Sequence, residues 1–244
     1  MDVLDQLAEP AVALSGRVDD VLAAAGAPDR HRIWPLLRRV RVLPGDAVRA
    51  VLGLRPGALA GAAEVSAELR RTYHEVGAVL ADGGSWQGPA AEAYAAHRSG
   101  VAGHLTDLAG RAEATAAYAE AVAGWIADTR YALARTLADV LGSAEAVAVV
   151  TARPGRYASA PSGVVPGTPP SGVLPGTPPS GVLPGGLPVE SAAAEIGARI
   201  LATVAEAYDR AEALPQRWAA QLDFLDHRPP DAAPVRPDGG RIVL

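Results

Sequence analysis

The sequence predicts an all-α fold, and three features predict it. Hydrophobic residues make up 49% of the 244-residue chain while aromatics are only 5%. Much of that apolar share is alanine, the best helix former, which suits close helix–helix contact better than a deep aromatic core. Apolar residues recur at three- and four-residue steps over long stretches, the period of a helix face, and no long stretch alternates as a strand would. Glycine and proline fall between these stretches, where helices start and stop.

The first element is amphipathic. Val3, Leu7, Leu14, Val18 and Val21 fall near one helical face, with Pro10 as a point of break or kink and Gly26 to Pro28 as the end. Pro35, Pro44 and Pro56 then divide residues 30–57 into two short helical pieces. Arg30, Arg32, Arg38, Arg39, Arg41 and Arg49 make this the most basic part of the chain. A long amphipathic run, as a membrane-surface helix needs, is missing here. The expectation is therefore that the arginines flank a short helix whose Ile33, Trp34, Leu36, Leu37 and Val40 pack on a larger bundle; the competing reading is a surface patch for acidic lipid or a protein partner.

Residues 57–81 carry a heptad seam of Leu59, Ala62, Ser66, Leu69, Tyr73, Val76 and Leu80. Asp82-Gly83-Gly84 stops that helix, and Ser85-Trp86-Gln87-Gly88 leads to Pro89, well placed as a first helical residue. The next helix continues the seam through Val101, Leu105, Leu108, Ala112, Thr115, Ala119, Val122, Ile126, Thr129, Leu133, Thr136 and Val140, with a break expected near Gly142-Ser143. A nine-residue Pro/Gly repeat beginning at Pro161, Pro170 and Pro179 reads as a semi-extended linker. Ile196, Ile200, Val204, Tyr208, Trp218, Leu222 and Leu225 outline one more helix, interrupted at Pro215. The expected organisation is short helices over 1–56, a helical hairpin over 57–152, a linker over 153–188, a C-terminal helix over 189–227 and an unstructured tail over 228–244. The terminal helices are expected to pack on the hairpin and extend it to a bundle.

All of the 22 basic residues are arginine, which points to a GC-rich genome, and the net charge is −5. That acidic balance argues against nucleic-acid binding. With no cysteine there is neither a disulfide framework nor a thiolate metal site. No segment is apolar enough to span a bilayer, and the start lacks the basic-then-apolar pattern of a secretory signal peptide. The expected location is the cytoplasm, or the outside of the cell by a route that uses no such peptide.

Catalytic and metal constellations are weak. His74-Glu75 begins the zinc-protease pattern, but Ala78 stands where the second histidine would be. His97 and His104 lie two helical turns apart, about 10 Å along the axis, too far to share one zinc. No nucleophile elbow, phosphate loop or dinucleotide fingerprint is present. The sequence implies no cofactor, no metal and no enzyme.

Two features rise above this background. One is Trp86-x-Gly88 at the junction of two heptad-bearing helices. A short turn makes such helices antiparallel, and the indole would plug the end of their shared seam. An ordinary helical hairpin with an aromatic plug explains the same residues. This stretch, Gly84 to Ala91 with its flanking helices over about 57–150, resembles the WXG family of type VII (ESX-type) secretion targets. The resemblance implies a helical hairpin that pairs with a WXG-like helical partner or a second copy, and export through the type VII machinery without a Sec signal. The present chain is longer than those family members and adds helices at both ends. The second feature is Tyr208-x-x-x-Glu212, which in the resembling family serves as a secretion signal. One turn of helix puts phenol and carboxylate on one face; a core tyrosine beside a surface acid is the alternative. The functions to weigh are a type VII target or accessory protein and an intracellular coiled-coil scaffold.

Overall fold

The computed structural model describes residues 2–81, 87–152 and 188–224, and among these the regular structure is helical, with no strand. The chain is all-α. Trp86, nearly all of the 153–188 linker and the 228–244 tail lie outside the described residues.

The helices are α1 (Val3–Gln6), α2 (Ala8–Ala25), α3 (Ile33–Val40), α4 (Pro44–Gly53), a 3₁₀ turn (Pro56–Leu59), α5 (Ala60–Ala81), α6 (Pro89–Leu141), α7 (Ala144–Thr151), α8 (Val189–Arg217) and α9 (Ala219–Phe224). They form two compact units: residues 1–58 with 121–214, and residues 59–120 with 215–244.

Local chemistry explains most boundaries. The break expected at Pro10 falls instead at Leu7, and Pro10 sits in the first turn of α2, where no intrahelical acceptor awaits its missing N–H. Leu4, not Val3, is the buried residue of α1. Gly26, with φ +73°, ends α2 by donating to the Leu22 carbonyl. Pro44 opens α4 at N1. The break near Gly142 is present: α6 stops at Leu141, and the Ser143 hydroxyl caps α7 by accepting from the Ala146 N–H at 3.2 Å. Pro215 does not stop α8, which continues to Arg217; this late in a helix a lost N–H removes one bond near an end that frays anyway.

The first unit holds the main core. Leu14, Val18 and Val21 of α2 join Ile33, Val48, Val51, Leu133, Leu137, Val140 and Val149 in one cluster. At its centre is α8, buried on successive faces at Ala192, Ala193, Ala194, Ile196, Ala198, Ile200 and Leu201. From Val189 to Ala205 no position of α8 is fully exposed, although Glu195 and Arg199 give it one polar, half-buried side. Alanines let neighbours approach closely, and at Gly197 even a methyl would be crowded: an added Cβ would stand 2.9 Å from Ile33 Cδ1 and 3.0 Å from Pro44 Cγ. α8 meets α6 and α7 in reverse order along the chain. Trp125 Nε1 donates to the Ala207 carbonyl at 2.9 Å, the Thr136 and Thr203 hydroxyls lie 2.8 Å apart, and Arg199 pairs with Glu145 at 3.6 Å. Asp19 of α2 accepts from the Gly45 N–H at 3.1 Å and so caps α4 from outside, a position Leu43 cannot serve. Burial holds the Asp19 carboxyl above its usual range against the opposing pull of that N–H.

One buried charge ties this unit together. Arg130 of α6 is only 2% exposed. Its Nε donates to Asp2 Oδ2 at 2.6 Å, and Nη2 donates to Asp2 Oδ1 at 2.9 Å and Asp5 Oδ1 at 2.7 Å. Its Nη1 donates to the carbonyls of Val51, Leu52 and Leu54 at 3.0–3.2 Å. Those carbonyls lie at the end of α4, where intrahelical partners run out; Val51 also accepts from the Leu54 N–H at 3.1 Å. Asp2 and Asp5 already bond each other's backbone N–H groups as a capping box on α1. The guanidinium thus fastens the start of α1 and the end of α4 to the middle of α6. A planar five-donor group can do this; a lysine ammonium cannot.

The second unit is sparser. Its buried residues include Ser66, Ala109, Ala112 and Ala119, all small. Arg70 of α5 pairs with Glu113 of α6 at 3.7 Å, and the Tyr118 and Trp218 rings meet edge to face at 5.8 Å. Ser66, Ala112 and Ala119 stand on the expected seam. Ala62, Leu69 and Val76 do not behave as seam residues: all three are exposed, and the sheltered row runs from Leu59 of the 3₁₀ turn through Ala63, Ser66, Tyr73, Gly77 and Leu80 of α5.

Arg130→Ala should destabilise the first unit by about 3–5 kcal/mol, the scale for leaving buried charge and carbonyls without partners, and Arg130→Lys should recover little of it. Denaturant midpoints followed by circular dichroism test this. The hydrogen bond from Arg130 leads the causes that bring Asp2 from 3.8 down to about 2, and Asp5 is lowered for the same first reason. A folded-state pKa below the unfolded value means stabilisation that is complete above about pH 4 and fades as pH falls towards 2. Asp2→Asn should flatten that acid limb, and an unchanged limb would show that other carboxylates govern it.

Candidate interaction surfaces

The turn before α6 is described from Gln87 onward. Gly88 has φ +107°, and an added Cβ would meet no atom within 4 Å. The glycine is needed for its backbone conformation rather than for room. It accepts from the Ala91 and Glu92 N–H groups and starts the helix at Pro89, as the spacing implies. Trp86, the other residue of the motif, is outside the described residues.

Tyr208 and Glu212 stand one turn apart on α8, both at the surface. Tyr208 is 37% exposed, so it is not a core tyrosine. Glu212 is engaged: Arg39 of α3 donates through Nη2 to Asp209 Oδ1 at 2.7 Å and to Glu212 Oε2 at 2.9 Å. These bonds, the one to Asp209 first, raise the Arg39 pKa. The motif's carboxylate is therefore held by a basic residue distant in sequence, a partner that local pattern reading misses.

The arginines of residues 30–49 divide into two groups. On the flank of α3 towards α8, Arg32 pairs with Glu195, and Arg39 with Asp209 and Glu212. Burial pushes the Glu195 carboxyl up, but Arg32 and Arg199 together outweigh burial and hold it below its usual range. Arg49 pairs with Asp46 within α4. Arg30, Arg38 and Arg41 have no acidic partner among the described residues. Ile33 and Val40 are buried, and Leu36 and Leu37 pack partly against the core. Trp34 departs from expectation: it is 39% exposed, with its Nε1 donating to the Pro28 carbonyl at 3.1 Å. The core side of α3 is already filled at positions 33, 36, 37 and 40, one turn-spaced row, and position 34 points off it.

A third surface lies on α5. Val65, Leu69, Thr72, Val76 and Val79 follow steps of four, three, four and three, and every one is exposed, Val79 to 75%. This row is a heptad stripe of its own, beside the sheltered one.

No set of three or more histidine and carboxylate side chains is arranged for a metal among the described residues, and His74 and His97 are exposed on different helices. The described surfaces carry an apolar stripe on α5 and guanidinium and carboxylate groups on α3 and α8.

Because the Arg39 pairs face solvent, Arg39→Ala should move the denaturation midpoint far less than Arg130→Ala does. A denaturation midpoint shifted as far as that of Arg130→Ala would show instead that the α3–α8 seam rests on this residue. No family model matches the chain, nor does any curated protein or solved structure.

Proposed function

We propose that the chain is a non-enzymatic target or accessory protein of a type VII secretion system, acting through helix faces. The observation that carries this reading is the exposed heptad stripe of α5, Val65, Leu69, Thr72, Val76 and Val79. Such a row loses apolar contact with water only when another helix covers it. In this reading α5 and α6 form an antiparallel hairpin about the Trp86-x-Gly88 turn, and a WXG-like helical partner or a second copy covers the stripe. Gly88 starting α6 beside Pro89, and the solvent-facing Tyr208 and Glu212 as export signal, agree with it.

An intracellular coiled-coil scaffold would use the same stripe and differs only in staying inside. Expressed in a Gram-positive host, the chain should reach the medium when the type VII ATPase is intact and remain in the cells when it is not. Tyr208→Ala should block release at unchanged helicity. Equal amounts outside in both hosts would sink the export reading, and retention in both would favour the scaffold. Leu69→Glu with Val76→Glu should abolish association in sedimentation while leaving the monomer folded; unchanged association would remove the stripe from the proposal.

A further inference from the structure

The outer flank of α3 carries a second binding chemistry that the helix-face reading does not use. Trp34, Arg38 and Arg41 follow one another at steps of four and three, and Trp34 and Arg38, with the edge of the partly core-packed Leu37, line a shallow open hollow. Arg41 then ends the helix with φ +63°, a left-handed conformation usually left to glycine or asparagine. That reversal carries Val42 and Leu43 to the surface before Pro44 begins α4. Arg30, at the other end of α3, has the same positive φ.

The charges are sorted in the same direction. The acids of α8 and α4 neutralise Arg32, Arg39 and Arg49, while Arg30, Arg38 and Arg41 remain without an acidic partner among the described residues. Between residues 28 and 49 the acids are Asp29 and Asp46, and Asp46 is taken by Arg49. The chain therefore concentrates unneutralised positive charge around exposed indole, valine and leucine, in a protein whose net charge is −5.

We propose that this flank docks on an anionic lipid surface as a peripheral contact, with Trp34, Val42 and Leu43 entering the headgroup region and Arg30, Arg38 and Arg41 meeting lipid phosphates and carboxylates. Tryptophan suits that boundary because its ring is apolar and its N–H polar. Here the N–H is already satisfied by the Pro28 carbonyl, so the ring enters without leaving a bare donor. Arginine can lay its stem along apolar surface and keep its head among headgroups. A lipid surface needs no enclosing walls, and the hollow has none; a nucleic acid would need a longer basic track and would meet the acidic remainder of the chain. No helix among the described residues is long and apolar enough to cross a membrane, so the contact is one that lies on the surface.

The test is co-sedimentation of the full chain with phosphatidylcholine vesicles, with and without phosphatidylserine, and with poly-glutamate as a soluble acidic competitor. Each arginine near an anionic surface multiplies partitioning by roughly fivefold, so the chain should pellet with the anionic vesicles, stay soluble with neutral ones, and be released by salt. Arg38→Ser with Arg41→Gly should weaken anionic binding by more than roughly tenfold on the same scale. Glycine at 41 keeps the left-handed cap, so the variant folds. Arg39→Ser, altering a paired arginine, should bind nearly as the parent does, and Trp34→Ala should lower binding at constant charge. Equal binding to both vesicle types, no binding to either, or an unchanged double variant would each overturn the proposal. Binding to poly-glutamate without binding to vesicles would overturn it in favour of an acidic protein partner.

Discussion

The first unit depends on bringing one guanidinium out of water and satisfying all of it. Taking an arginine into a protein interior costs several kcal/mol unless its donors find partners with good geometry. Arg130 finds two carboxylates and three carbonyls. The partner groups stand at helix ends: the capping carboxylates of α1, and the carbonyls at the end of α4. Two helix termini that would otherwise need water are completed by one side chain, and that requirement fixes where both helices lie against α6. Arg55, reaching Asp5 at 3.3 Å, extends the same network to the surface.

Around that fixed point the core is built from small residues. α8 can lie in the middle because Ala192, Ala193, Ala194, Ala198 and Gly197 let several helices approach one axis. Alanine gives little burial per residue, so the unit relies on many close contacts and on larger side chains from its neighbours, such as Ile33, Leu133 and Val149. The second unit has the same small residues without such a shell, which is why apolar positions of α5 remain in contact with water.

Periodicity made the helices legible, and for α6 it located most of the buried face from Ala112 to Val140. Two partners on that helix widen the face beyond one seam, so Ala134 and Leu137 are buried too. On α5 the period was readable but not the choice between two neighbouring rows: Leu69 and Val76 score higher as apolar residues than Ala63 and Gly77, yet small residues allow the closer approach. Tyr208 and Glu212 could be placed one turn apart, whereas Arg39 could not be joined to Glu212 from a position 173 residues away. Arg130 was invisible because arginine counts as a surface residue. Its signal is its row, Ile126, Arg130, Leu133 and Leu137, where a charge interrupts an apolar spacing. The wide buried face of α8 also had a signal in the triplet Ala192 to Ala194, since three consecutive small apolar positions cannot share one narrow stripe.

The place of α8 in the sequence has a consequence for how the protein is made. Ile33 and Val48 wait for a core whose centre, Ile196 to Leu201, is synthesised some 150 residues later. At the usual pace of roughly 5–20 residues per second, that is about 8–30 s during which α2, α3 and α4 lack the helix that completes their core. The apolar positions that α8 covers stay open for that interval, so a chaperone or an early partner has a defined window in which to bind them, and the window shuts when α8 emerges.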